Sequence, residues 1–250
     1  MTESFAAVVA NLAAASGPSG TFDPASTEGL PAPAARMLRH ALAPGTPLAG
    51  AVRLDLTGSV VQAGRRLDLT ARELLVPGRG FAWEARASWG PLFVAVRDHY
   101  LAGAGEVAVR LLDLLPLGGE RGPDTAASSR GRLAGESFWV PAMLLPSAGA
   151  RWSAIDEHRA QVHLQIGGES EAVTLTVAPD GRVTELTMMR WGAAGVDEPQ
   201  RIPYGFRVSD ETTFDGCTIA SSVEGGWWYG TNRYRTESAS RFRVVRPRWA

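Results

Sequence analysis

A chain of 250 residues with 45% hydrophobic side chains, 20% charged side chains and a net charge of −1 has the composition of a globular protein, not of a disordered or fibrous one. That balance gives no bulk charge with which to attract nucleic acid. All 25 basic residues are arginines, which excludes Schiff-base catalysis and a phosphate-loop lysine, and the single cysteine, Cys217, excludes an internal disulfide and a cysteine-based zinc site.

In chain order, Met1 to Ser16 reads as a short amphipathic helix. It has no basic leader segment, which together with the lack of disulfides points to a cytoplasmic protein. Gly17 to Gly29 is rich in Gly, Pro, Ser and Thr and reads as a flexible connector, so residues 1–29 are expected to precede a single β-rich domain spanning residues 30–250. Leu30-Pro31-Ala32-Pro33 opens a short helix to Leu42, with prolines in the first turn, where a missing N–H costs nothing.

From Ala49 the apolar period becomes two. Val52, Leu54 and Leu56 alternate with Arg53 and Asp55. Phe81, Trp83, Ala85, Ala87 and Trp89 share one strand face, and Gly90-Pro91 turns into Leu92–Arg97. Between Pro123 and Pro146 the alternation stops, and Asp124 or Thr125 can cap a helix running to Val140 across the sheet. Alternation then resumes through Trp152–Asp156, Val162–Ile166, Val173–Val177 and Val183–Trp191, with Pro179-Asp180-Gly181 as a hairpin turn, and ends in three or four closing strands. The fold expected is mainly β with minor α: a large curved antiparallel sheet of roughly eleven strands, a half-open barrel covered by helices. No apolar run is long enough for a membrane-spanning helix, so no stable membrane insertion is expected.

The candidate chemistry is sparse. Asp156-Glu157-His158 with His163 is the densest titratable cluster, but strand parity separates His163 from Asp156 and His158, and no metal site is expected. Arg132 and Glu136, four apart on a helix, face each other and can orient a polar group; the simpler reading is a surface pair worth about 0.3–0.5 kcal/mol. Tyr100, after Asp98-His99, can act as a donor or simply anchor a loop. There is no Gly-x-Ser-x-Gly elbow and no dinucleotide-binding loop. Eight tryptophans exceed what a core of this size needs and several can line an apolar cavity with wet ends, although plain core packing is the simpler reading; the arginines from Arg233 to Arg248 can meet an anionic surface but are more simply a solvated face.

Several stretches are similar to a bacterial family of uncharacterised proteins, DUF6544 (earlier DUF6920). They are Leu30-Pro31-Ala32-Pro33 with Arg39-His40-Ala41-Leu42, Phe81-Ala82-Trp83, Asp98-His99-Tyr100 with Gly103 and Gly105, Arg132-Leu133-Ala134-Gly135-Glu136 running to Trp139-Val140-Pro141, Trp152 with Asp156, Gly216 to Ile219, and Gly226-Trp227-Trp228. That resemblance implies the fold of the LolA/LolB-like lipoprotein carriers, a curved sheet with an apolar concave face. The function expected is binding of a hydrophobic or amphipathic small molecule, without a cofactor, by Trp83, Tyr100, Arg132, Glu136, Trp139 and Trp228. The alternative is a cofactor-independent cyclase or isomerase in the same cavity, with Glu136 or Asp156 as acid–base and Tyr100 as donor.

Overall fold

The computed structural model describes residues 4–14, 17–62, 64–90, 92–235 and 239–250, apart from the side chains of Gln62 and Trp89. The expected facing of Trp89 and the turn at Pro91 therefore lie outside the described residues, as do both ends of the Met1–Ser16 helix.

Six strands follow one another as a meander: β1 (Val52–Gln62), β2 (Arg65–Val76), β3 (Gly80–Trp89), β4 (Leu92–Leu101), β5 (Ala104–Leu111) and β6 (Leu115–Arg121). Seven more form a second meander: β7 (Arg151–Ala154), β8 (Arg159–Ile166), β9 (Glu169–Val177), β10 (Val183–Gly192), β11 (Gln200–Phe214), β12 (Cys217–Trp227) and β13 (Ser240–Trp249). β13 pairs with β1, so both meanders join in one antiparallel sheet of 13 strands whose edges are β6 and β7 and which does not close. The two-residue period produced this legibly. β6 was hidden because Pro116, Gly118 and Gly119 read as loop; it is an edge strand with a register shift, where such residues are tolerated and discourage further pairing.

Helix α3 (Pro123–Glu136) lies against the inner face of the sheet and touches β3 to β6 on one side and β8 to β10 on the other. The sheet therefore curves around it. Small residues permit the approach: a Cβ on Gly131 would stand 2.9 Å from Cγ of Arg190, one on Gly135 3.2 Å from Sδ of Met188, and one on Gly105 2.9 Å from Cα of Ala126. The helix is shorter than expected. It ends at Glu136, the Ser137 hydroxyl donates to the Leu133 carbonyl at 2.7 Å, and Pro141 disfavours helical backbone at Val140, leaving short 3-10 turns at Ser137–Trp139, Pro141–Leu144 and Pro146–Ala148. Asp124 does not cap it: its carboxylate accepts from Trp191 Nε1 at 2.9 Å, and Gly122 holds the N-cap position.

Helix α1 (Phe5–Ala13) covers the outer face, with Val8 and Leu12 packed on Leu74, Val76 and Ala82. Helix α2 (Ala32–Ala41) buries Met37, Leu38 and Ala41 in the main core. In the segment expected to be a connector, Phe22 is 2% exposed and belongs to that same core, with Thr21 bridging to Pro47. Among the described residues no helix is long and apolar enough to cross a membrane.

Candidate functional site

The inward residues of the first meander fall in rows across the strands. Glu73, Trp83, Asp98 and Val107 are register partners on β2, β3, β4 and β5, and this row faces α3. Arg132 projects from α3 into the row. Its Nε donates to Glu136 at 2.8 Å, Nη1 to Asp98 at 2.7 Å and Nη2 to Glu73 at 3.0 Å, while the guanidinium carbon lies 4.6 Å and 4.8 Å from the ring centres of Phe81 and Trp83. One arginine thus serves three carboxylates, an arrangement its planar fork allows and a lysine would not.

Electrostatics follow from the imbalance. Glu73 is 3% exposed, and burial, followed by repulsion from Glu136, raises its pKa well above the usual carboxylate range, which favours the acid form and a proton shared with Glu136. Burial by itself would lower the pKa of Arg132, but Glu136, Glu73 and Asp98 raise it further, so the guanidinium stays charged. Glu73 Oε2, Asp98 Oδ1 and Glu136 Oε2 are buried without a hydrogen-bond donor. Glu73, Asp98 and Glu136 line a cavity of about 140 Å³ together with Trp83 and Trp139.

Two residues that the sequence did not single out complete the wall. Arg190 of β10 donates from Nε to the Ser128 carbonyl at 3.1 Å and lies over the rings of Tyr204 and Trp227, at 4.7 Å and 4.9 Å. Tyr204 of β11 has its phenol pushed up, by burial above all.

Beyond the polar row, the same inner face becomes apolar. The next register row is Ala71, Ala85, Val96 and Val109, and the one after it Leu69, Ala87, Val94, Leu111 and Leu115. Val96, Val109, Val94 and Leu111 are half-buried, Leu115 is 63% exposed, and Leu92 at the start of β4 is exposed as well. At roughly 3.3 Å per residue, the stretch of β4 from Asp98 to Leu92 spans about 20 Å.

The structure brings Trp83, Arg132, Glu136 and Trp139 to one cavity. Trp139 contributes only its ring, because its Nε1 donates to the Ala220 carbonyl at 3.0 Å. Tyr100 is 1% exposed and faces a different cavity of about 560 Å³, between α1 and the turns at Gly78, Gly103 and Gly167. That cavity is larger but lacks the carboxylate cluster. Trp228 (φ 64°) does not line the cavity; its Nε1 donates to the Ala194 carbonyl and Arg233 lies over its ring at 3.4 Å. Asp156 is an exposed turn residue whose carboxylate accepts from the backbone N–H groups of His158 and Arg159 and from the Arg159 side chain. Glu136, Asp156 and Tyr100 therefore do not meet. Among the described residues no group of three or more His, Cys, Asp or Glu is placed to hold a metal ion. Cys217 is buried, and burial pushes its thiol up to about 11.

A curved, open antiparallel sheet with a helix on its inner face defines a class of fold, and solved structures of this kind are found for the chain. A putative outer membrane lipoprotein-sorting protein domain from Vibrio parahaemolyticus matches with a TM-score of 0.45 and 12% identity, covering 80% of this chain and 85% of that one. A DUF1329 family protein from Desulfovibrio piger matches with a TM-score of 0.45 and 11% identity, covering 91% and 94%. A LolA superfamily protein from Nitrosomonas europaea matches with a TM-score of 0.42 and 8% identity, covering 87% and 92%. A search of curated proteins finds no match. The model of a family of unknown function, DUF6544, matches residues 20–236, and the chain belongs to that family. The cytoplasmic location expected from the sequence is withdrawn, since the similar structures include a putative outer membrane lipoprotein-sorting protein domain and a LolA superfamily protein.

Proposed function

We propose that the protein binds one amphipathic molecule on the concave face of its sheet. The polar head meets Arg132 and Glu136, Trp83 and Trp139 close over it, and the apolar chain runs along β3 to β6 toward Leu92 and Leu115. One observation carries this reading: a buried charged cluster adjoins successive apolar register rows whose members on β4, β5 and β6 remain half-buried or exposed. Water would leave such a surface, and a ligand chain would cover it at about 25 cal/mol per Å² buried. A buried ion-pair cluster adds little stability over apolar packing, so its retention fits a role in orienting a ligand.

The test is titration with the apolar dye N-phenyl-1-naphthylamine, followed by its fluorescence. Saturable binding that Val96→Asp abolishes is expected. Binding unchanged in Val96→Asp removes the concave face from the role.

A second reading, acid–base chemistry on the bound molecule without a cofactor, is favoured by the raised pKa of Glu73 beside Glu136. Glu136 then moves the proton, and a Glu136→Gln variant that turns over as fast as the parent protein rules it out.

A further inference from the structure

Each guanidinium nitrogen of Arg132 already donates to a carboxyl group, Nε to Glu136, Nη1 to Asp98 and Nη2 to Glu73, so three of its five N–H groups are committed and its charge is directed at groups of the protein itself. What the cavity wall offers instead is acceptors: Glu73 Oε2, Asp98 Oδ1 and Glu136 Oε2, each buried and none with a donor. The Glu73 side chain is shut from solvent, whereas those of Asp98 and Glu136 are each 14% exposed, which leaves the cluster reachable from the groove. A buried acceptor without a donor is unfavourable, and the loss is recovered when an N–H or O–H arrives. A proton shared between Glu73 and Glu136 accounts for one oxygen of each, and Asp98 Oδ1 remains without a donor. At about 30 Å³ per water, the 140 Å³ cavity has room for a handful of waters or a head of comparable size.

Arg190 is the one group in the wall that speaks for an anion. Its Nε and Nη2 face the Ser128 carbonyl and hydroxyl, at 3.1 Å and 3.5 Å, and two aromatic rings lie beside its plane.

Building on the amphipathic-ligand reading above, we propose that the head bound at this cavity is a hydrogen-bond donor without negative charge, an ammonium or hydroxyl group, and that carboxylate and phosphate heads are rejected. An anionic head would have to lie against the carboxylates of Asp98 and Glu136 in a low-dielectric cavity, where like charges repel.

Three probes with one chain and different heads test this: decylammonium, decanol and decanoate, each displacing N-phenyl-1-naphthylamine from the full protein at neutral pH. Decylammonium and decanol are expected to displace the dye at concentrations at least about tenfold below decanoate. The conservative Asp98→Asn and Glu136→Gln variants, each checked for a native thermal transition, should narrow that difference. Equal displacement by all three, or a preference for decanoate, overturns the head-group assignment and leaves the concave-face reading standing. If the dye binds and none of the three displaces it, or if no probe binds at all, the concave-face reading and the head-group assignment fall together.

Discussion

Glu73 on β2 and Arg132 on α3 are 59 residues apart in sequence and 3.0 Å apart in space, and Glu73 is buried as the acid. Its native pKa is raised above the ordinary value of 4.5, so the folded protein holds a proton there that the unfolded chain gives up. Stability from this group is full below that ordinary value and falls as pH rises toward the native one. Thermal melts at several pH values from 5 to 9 are expected to show such a decline for the parent protein. The decline should be flattened in Glu73→Gln, whose amide can donate to Glu136 as the acid does. An equally steep decline in Glu73→Gln would assign the pH dependence to another group.

Arg132→Leu strands three carboxyl groups in the interior without their counter-charge. Removing one partner of a buried ionic cluster costs about 3–5 kcal/mol, and urea unfolding should report a loss of that size. Arg132→Lys should lose much of the same stability, because an ammonium cannot hold Glu73, Asp98 and Glu136 in the three directions of a planar fork.

Two of the three glycine contacts around α3 differ in what they meet. A Cβ on Gly105 would stand 2.9 Å from Cα of Ala126 and 3.0 Å from the Thr125 carbonyl oxygen, both backbone, whereas on Gly131 it would meet the side chain of Arg190. Gly105→Ala should therefore destabilise by about 1–3 kcal/mol. Gly131→Ala gains up to about 1 kcal/mol of helix propensity against its clash and should stay within about 1 kcal/mol of the parent. Chemical denaturation of both variants decides the order.

At the open end of the groove, Leu115→Asp changes a side chain that is 63% exposed, so stability should move by no more than about 0.5 kcal/mol. Dye titration should nevertheless weaken, since the charge falls in the row of Val94 and Leu111. Trp139→Phe, a fold-preserving change in the cavity wall, should weaken it too, while Trp228→Ala and Asp156→Asn should leave it as in the parent. If those two weaken the titration while Leu115→Asp does not, the ligand lies at the rim and not in the groove.

The antiparallel strands were legible because alternation of apolar and polar residues is a local property. Ala85 and Ala87 flanking Arg86 fix the facing of β3 whatever it packs against. The same locality made the Arg132–Glu136 pair legible, as residues one helical turn apart. β6 escaped notice because the residues that suit an exposed sheet edge also suit a loop.

The sequence by itself determined the period, and with it the open curved sheet, the crossing helix and the apolar inner face. Tertiary structure alone decided the site. Glu73 and Asp98 reach Arg132 from 59 and 34 residues away, and Arg190 and Tyr204 come from the other meander. No local pattern marks those residues as neighbours, since the curvature that brings the two halves of the sheet around α3 arises only when their faces are buried together. The same packing separates Tyr100, Trp228 and Asp156 from the cavity, although each is the kind of residue that such a cavity uses.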